Sequence, residues 1–409
     1  MGEVRLNPHD HPWLTAPATR AVMDALSPGA SDQARFVGGC VRNALRGEPV
    51  SDIDVATVLR PEAAVQALDA AGIRAEPTGI AHGTITAIVS GQPIEVTSLR
   101  RDVETDGRRA VIAYTQDWAE DAARRDFTMN AVYARRDGAL FDPFGGIDHA
   151  RAGQVIFIGE PLERIAEDYL RILRFYRFAA WMCGALDPDG RRACEAQAQT
   201  LSCLSAERVW KEFKKLLSAP DPGPVVEAMH NGHVLGAIWP GTLDFKLFLS
   251  LINADRGKVR PPDALVRIAA LAGQDGDVVA DICARMKASR AEAGRLAAMS
   301  GPAPARAGSV RAGMTQRDLG RALYVLGPQT VADRLRLDEA RTGEDASPAL
   351  ARAAQWTRPR FPVTGHDLIA AGAAPGPDMG ARLDALEEAW IASGFTLTRS
   401  QLLGREGSS

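Results

Sequence analysis

Hydrophobic and polar positions run through this chain in two rhythms, and the change between them marks its organisation. Up to about residue 150, short β-branched runs alternate with short helices; beyond it the pattern is helical. Trp13 to Leu26 reads as an amphipathic helix with Val22, Leu26 and Trp13 inward, ended by Pro28-Gly29. Phe36-Val37 then predicts a strand, Gly38-Gly39 a turn, Cys40 to about Leu45 a helix, and Gly47 with Pro49 a break. A second strand carries Asp52-Ile53-Asp54-Val55. Residues two apart on a strand face the same way, so Asp52 and Asp54 project together while Ile53 and Val55 point into a core. Pro61 to Ala71 predicts a helix closed by Gly72. The next stretch, HGTITAIVSGQPIEVTSLR, holds two β-branched runs joined at Ser90-Gly91-Gln92-Pro93, a hairpin signal. Its second run places Glu95, Thr97 and Leu99 on one face and Ile94, Val96 and Ser98 on the other. Arg100 to Glu120 is charged, is interrupted by Gly107, and reads as a mobile surface loop.

In the helical part, Leu170, Ile172, Leu173 and Phe178 form an apolar stripe. Asp168 and Arg171, three apart, sit side by side on another part of the same predicted helix. Val209, Phe213, Leu216 and Leu217 mark the buried side of a helix over 205–217. Ser205 stands at its N-cap, but Arg208 takes the place of the Glu that a full capping box needs. Lys211, Lys214 and Lys215 fall on the polar side, as phosphate contacts or as a solvated face. From Pro224 to Ser300 short helices rich in Ala and Leu show no chemistry, and residues 301–313 read as a linker or long loop by composition. A final helical part includes a helix starting at Thr364-Gly365.

Composition narrows the class without naming a chemistry. The 409 residues can bury at least one sizeable core in two or three domains, and 46% hydrophobic with 24% charged residues is ordinary for a globular protein. A net charge of −3 means that any RNA surface is a local basic patch. Five cysteines with no C-x-x-C pair predict reduced thiols in a cytosolic protein rather than a disulfide framework or zinc ribbon. The sequence has no apolar leader core and no run of membrane-spanning length, so the expectation is a soluble, unexported protein.

Chemistry gathers in three places. Glycines between a strand and a helix let backbone N–H groups approach a phosphate, and the helix N-terminus adds partial positive charge. Facing that turn, Asp52 and Asp54 suit a divalent cation carrying a polyphosphate. Either half alone is an ordinary strand–turn–helix; both together in 35–57 are not. Glu95 is a third carboxylate for that site or a surface position on an edge strand. In Arg124-Arg125-Asp126-Phe127-Thr128-Met129-Asn130-Ala131 the guanidinium forks suit triphosphate oxygens and Asp126 suits a ribose hydroxyl, while Phe127 and Met129 read as core. The third place is Glu167-Asp168-Tyr169-Leu170-Arg171 with Arg174 and Arg177 behind it.

Gly38-Gly39-Cys40-Val41-Arg42-Asn43 followed by Asp52-Ile53-Asp54-Val55-Ala56-Thr57 resembles the opening motif of the class II tRNA nucleotidyltransferase and bacterial poly(A) polymerase family, within the DNA polymerase beta superfamily. That family usually has Asp where Asn43 stands, so Asn43 is not counted as a metal ligand. Residues 124–131 match its RRDFTxNA motif, 167–171 resemble its EDxxR motif, and 207–217, within the 205–217 helix, resemble its ERxxxEFxKLL segment. Residues 361–380 are similar to its Thr-Gly-x-Asp-Leu and Pro-Gly-Pro tail signature. The resemblance implies an α+β fold: a small mixed-sheet nucleotidyltransferase head over 1–150, then an all-helical neck (151–218), body (219–312) and tail (313–409). It implies CCA addition to the tRNA 3′ end from CTP and ATP, with Mg2+ at Asp52 and Asp54 and Glu95 as a candidate third ligand. It implies nucleotide binding by Gly38, Gly39, Arg42, Arg124, Asp126, Asn130, Asp168, Arg171, Arg174 and Arg177, with Asp168 and Arg171 reading the base. A flexible loop needed for the last A would have its counterpart at Asp102, Asp106, Gly107 and Arg108. The same motifs also serve poly(A) polymerases, enzymes adding only CC or only A, and an inactive RNA-binding relative. No HD dyad with partner histidines is visible, so phosphohydrolase activity is not expected.

Overall fold

The computed structural model describes residues 4–29, 31–80, 83–106, 109–239 and 241–406. They divide into two units, Met1–Ile238 and Trp239–Ser409, a coarser division than the boundaries expected at 150, 218 and 312.

In the first unit the β-branched runs build a sheet. The amphipathic helix α1 (Pro17–Leu26) begins at Pro17, with Trp13 in a separate 3-10 turn ahead of it and Val22 and Leu26 buried as expected. Next come β1 (Ala34–Val37), α2 (Gly39–Leu45), β2 (Asp54–Thr57) and α3 (Pro61–Ala70). They are followed by β3 (Arg74–Gly79), β4 (Thr84–Val89) and β5 (Gln92–Ser98). The β4–β5 turn sits where the sequence put it, with Ser90 and Gly91 both at positive φ, the backbone that a two-residue hairpin requires. Among the described residues the sheet order is β3-β4-β5-β2-β1-β8-β9, with β8 (Tyr133–Ala134) and β9 (Leu140–Phe141) at one edge. Only the β2–β5 pairing within it is parallel.

Alternation along the strands covers both faces. Phe36, Val55, Ile85 and Val96 pack with α1 and α3, while Val37, Ala56, Leu99 and Tyr133 form a second cluster behind them. The segment expected as a loop between Arg100 and Glu120 is instead a separate antiparallel ribbon, β6 (Arg100–Asp106) with β7 (Arg109–Tyr114), and then α4 (Trp118–Ala123). Gly107 and Arg108, and the Asp102 and Asp106 side chains, lie outside the described residues.

Helix α5 (Gly146–Ala152) closes the sheet part, and α6 (Pro161–Glu167), α7 (Leu170–Met182), α8 (Pro188–Ala196), α9 (Ala206–Leu217) and α10 (Gly223–Asn231) complete the unit. The stripes read from the sequence are the buried ones: Leu170, Ile172, Leu173 and Phe178 on α7, and Val209, Phe213, Leu216 and Leu217 on α9. Phe127, Phe157, Phe175 and Phe178 stack into one aromatic seam, with centroids 4.8 Å apart for Phe127–Phe157 and 5.6 Å for Phe127–Phe178. The seam anchors the 124–131 segment on α7.

The second unit is helical. It runs through α11 (Phe245–Gly257), α12 (Ala264–Leu271), α13 (Gly276–Arg285), α14 (Arg290–Met299) and α15 (Gln316–Leu326). Then follow α16 (Pro328–Thr342), α17 (Ser347–Ala354), α18 (Gly365–Ala370), α19 (Asp378–Ala392) and α20 (Arg399–Glu406). Residues 301–313, expected as a linker or long loop, are a packed loop: Ala307 and Ala312 are buried, and Gly301 donates its N–H to the Gln274 carbonyl at 2.9 Å. Thr364 starts α18, and Asp367 accepts from its N–H at 2.7 Å. No described helix is long and apolar enough to cross a membrane.

One glycine fixes how α5 meets the 124–131 segment. A Cβ on Gly146 would stand 2.1 Å from the Thr128 carbonyl oxygen and 2.8 Å from Val132 Cγ2. Gly146→Ala therefore forces backbone apart and is expected to cost about 2–3 kcal/mol of stability. Its neighbour Gly145 sits at φ +71, where a Cβ would meet only the His149 ring at an ordinary 3.9 Å, so Gly145→Ala should cost only about 1 kcal/mol. Urea unfolding of the two variants checks the order; an equal loss would mean that the approach is not tight.

Candidate active site

The Gly-Gly turn and the carboxylates come together. Gly38 holds φ +75 at the start of α2, and a Cβ placed on it would lie 3.5 Å from the nearer Asp54 carboxylate oxygen. That carboxylate therefore faces the turn directly. Asp54 is in parallel register with Glu95 on β5, so two acidic residues from neighbouring strands stand side by side. Desolvation raises the Asp54 pKa to about 6, and the charges of Glu95 and Asp52 add to it against the opposing pull of Arg125 and Arg42.

The strand begins two residues later than expected. Pairing between β1 and β2 ends at Phe36 and Val55, because Gly38 turns the chain away into α2. Asp52 and Ile53 thus precede the strand, and Asp52 is exposed, bonded by the Ser51 hydroxyl at 3.2 Å. Ile53 and Val55 pack into the core as predicted. Glu95 is exposed, although its strand is interior to the sheet, so it is not an edge-strand residue.

Among the described residues no three acidic, histidine or cysteine side chains form a ready-made metal cluster. The donor set nonetheless fits a hard cation that keeps its waters and takes further oxygens from phosphate. Asp54 is a half-desolvated carboxylate beside two like charges, and a bound cation would relieve that repulsion.

Opposite the carboxylates stands an arginine network. Asp126, 8% exposed, accepts from the Phe127 N–H at 2.9 Å, Asn130 Nδ2 at 3.0 Å and Arg174 Nε at 2.7 Å. Burial alone would raise its pKa; the Arg174 charge and these bonds overcome that and hold it at about 2. Asn130 passes the connection on, its Oδ1 accepting from Arg42 at 2.7 Å. Arg42, Arg174 and Arg177 all lie over the Phe178 ring, at 5.1, 5.3 and 3.9 Å. Burial and the Arg177 charge lower the Arg42 pKa to about 10, and its buried Nε has no partner among the described residues. A cleft of about 400 Å³ opens beside Arg42, Arg177 and Phe178. Crowded, under-neutralised guanidinium groups of this kind suit a polyanion.

Arg124 and Arg125 are held from behind by a residue that the sequence did not single out. Asp121, 1% exposed, accepts from Arg124 at 2.8 Å, Arg125 at 3.1 Å and the Tyr133 hydroxyl at 2.7 Å. Burial would push its pKa up, and the Arg125 and Arg124 charges instead bring it down to about 2.

The expected Asp168/Arg171 pair on one helix face does not form. The helix breaks at Asp168, which has extended backbone between α6 and α7, and its carboxylate accepts from the Leu170 N–H at 3.1 Å. Asp favours such terminal positions because its short side chain serves free N–H groups there. One nitrogen of Arg208 on α9 spans both Asp168 oxygens, at 3.1 and 2.8 Å. Arg171 turns the other way, pairing with Glu167 and donating to the Arg164 and Arg124 carbonyls at 2.8 and 3.1 Å. Arg177 pairs with buried Glu212 at 2.6 Å.

Arg208 and Glu212 were legible in principle, since Arg208 occupies a capping-box position and Glu212 interrupts an apolar stripe. Asp121 carried no such signal.

The Asp54 geometry has a consequence for pH. Its folded pKa lies above the unfolded value, so its favourable contribution is complete below about pH 4 and is lost as pH rises through 6. In metal-free protein Asp54→Asn should therefore raise stability at pH 8, by about 1 kcal/mol after allowance for solvent screening. At pH 4.5 it should change little. Thermal melts in chelator at the two pH values check this, and equal shifts at both would refute it.

Comparison with known proteins agrees with this geometry. The Poly A polymerase head domain family matches residues 34–156, and the family described as "Probable RNA and SrmB- binding site of polymerase A" matches residues 185–245. The chain is 33% identical to the zebrafish (Danio rerio) mitochondrial CCA tRNA nucleotidyltransferase 1 over 90% of its own length and 86% of that protein's. It is 31% identical to the CCA-adding enzyme of Limosilactobacillus fermentum, over 87% and 88% of the two chains. The crystal structure of the Bacillus stearothermophilus CCA-adding enzyme in complex with CTP superposes with a TM-score of 0.72 at 25% identity, covering 92% of this chain and 93% of that one. With an acidic pair against a glycine turn, an arginine network across from it and relatives matched over nearly their whole length, this chain belongs to the CCA tRNA nucleotidyltransferase family.

Proposed function

We infer that this protein adds C, C and A to the 3′ end of tRNA from CTP and ATP, without a nucleic-acid template and with release of pyrophosphate. The observation that carries the reading is the Asp54 carboxylate set against the Gly38 turn, with Glu95 in register beside it. Asp52 and Asp54 are assigned as the catalytic metal-binding pair, with Glu95 as the third carboxylate. Magnesium held there would lower the pKa of the attacking 3′-hydroxyl and neutralise the triphosphate.

The remaining work falls to the chain's own groups. Gly38 and Gly39 let backbone N–H groups approach phosphate oxygens. Arg42, Arg124, Arg174 and Arg177 supply positive charge along the triphosphate. Asp126 acts through the Arg174 and Asn130 side chains that it holds, which orient the nucleotide. Asp168 and Arg171 are assigned to the base: an acceptor and a donor match the amine and ring nitrogen of cytosine or adenine, and meet like with like in uracil and guanine. Both terminal nitrogens of Arg171 are engaged by Glu167 and two backbone carbonyls, and Asp168 by Arg208, so reading a base would exchange these contacts for it. Residues 1–150 would form the catalytic head, 151–218 the neck with the base-reading residues, and 219–312 and 313–409 the body and RNA-binding tail. Five unpaired thiols favour the cytoplasm as its compartment.

Incubation with tRNA transcripts ending at the discriminator base, at -C and at -CC, with CTP, ATP or both, tests the reaction. Stepwise growth to CCA is expected. A stop at CC, or A-tails on unrelated RNA, would reassign the chain to a partial enzyme or a poly(A) polymerase. Asp54→Ala should abolish both C and A addition while tRNA affinity stays within a few-fold. Asp168→Ala and Arg171→Ala should each lower CTP-over-UTP discrimination more than tenfold, since hydrogen-bonding sites reject mismatched partners strongly. Full discrimination in both variants would move base selection elsewhere.

A further inference from the structure

The second unit contains a cleft of about 480 Å³ unlike the rest of its surface, lying where two helical clusters meet. Two half-buried aromatic rings, Trp356 and Phe395, line it together with Arg317 and Arg352. Among the described residues no carboxylate lines it, and neither arginine has a protein partner. This sets them apart from the many arginines of this unit that are tied to acids, such as Arg260 to Glu339, Arg295 to Asp333 and Arg336 to Asp255. Arg317 also stands in the first turn of α15, where the helix dipole disfavours a cation and favours an anion.

Phe395 is held in place at some cost. It adopts φ +66, a left-handed backbone that a bulky residue rarely takes, directly after Gly394 at φ +72. Its ring packs edge-on to Trp390, with centroids 5.0 Å apart, and lies against α15 at Gly320, where a Cβ would come within 3.1 Å of it. Helix, ring and strained backbone together keep an aromatic wall at the cleft.

From this arrangement we propose that the cleft binds an unpaired nucleotide of the RNA substrate, its base against Trp356 and Phe395 and its phosphate at Arg317 and Arg352. Aromatic rings offer stacking that any base can use, and unpaired guanidinium groups supply the charge for the backbone. A continuous duplex presents phosphates but no free base face, so the site favours loop nucleotides over stem. The inference rests on the reading of this chain as a tRNA-processing enzyme and adds a contact remote in sequence from its catalytic residues.

The test uses the full-length protein and two probes: a tRNA transcript ending at the discriminator base, and a blunt duplex of its acceptor and T stems without a loop. Arg317→Gln combined with Arg352→Gln should weaken tRNA binding about tenfold and lower the salt slope by about one, the loss of one phosphate contact. Duplex affinity should not change. Trp356→Leu should weaken tRNA binding similarly, and Trp356→Tyr should restore it. Unchanged tRNA affinity in the arginine variant, or equal weakening toward both probes, overturns the proposal. Wild-type CCA addition, measured in the same samples, tests the parent reading separately: loop-selective binding through this cleft without nucleotide addition would sink that reading and keep this one.

Discussion

The structure of the first unit depends on one buried carboxylate. Asp126 is nearly sealed from water and is satisfied by a backbone N–H, an amide and a guanidinium. Removing one partner from such a group leaves a buried charge uncompensated, at a cost of roughly 3–5 kcal/mol. Through Asn130 it fixes Arg42 on α2, and directly it fixes Arg174 on α7. A sheet helix and a helix of the following layer are thereby tied to the same point. The aromatic seam from Phe127 to Phe178 joins the 127 segment to α7 beside it.

The site around this anchor is electrostatically unfinished. On one side Asp54 is raised by burial and by acidic neighbours; on the other, burial and guanidinium neighbours lower Arg42 and Arg177. Both halves hold charge at a cost, and both are relieved by one kind of ligand, a polyphosphate carrying a cation. Preorganised groups of this type need no rearrangement as charge develops in a transfer reaction. Asp121 lies one layer back and neutralises Arg124 and Arg125 from the interior.

In the second unit the same physics serves rigidity. Asp255, Asp333 and Glu339 are buried and each is matched by a guanidinium from another element: a helix for Asp255 and Asp333, the α11–α12 loop for Glu339. Such pairs add little net stability but are costly to break, so they hold helix register. Arg317 and Arg352 lie outside that network, without a partner among the described residues.

Local rules were enough for much of this protein. The Gly38-Gly39 turn, the β4–β5 hairpin and the apolar stripes of α7 and α9 were all legible, because turn conformation and short-period apolar patterns depend only on near neighbours. The charged run after Arg100 was misread as a loop, because its two strands are defined by pairing with each other and not by an apolar face. Other features were decided by contacts that no local pattern encodes. Where β2 begins depends on where β1 leaves the sheet, which put Asp52 before the strand. Whether Asp168 continued a helix depended on a partner 40 residues away, Arg208, and on its own competition for a free N–H. Asp121 gained its role from burial beneath Tyr133 and two arginines. The sequence by itself determined which groups were available and how each short segment would fold; tertiary structure decided which charges met, because burial and long-range pairing exist only once the chain has closed on itself.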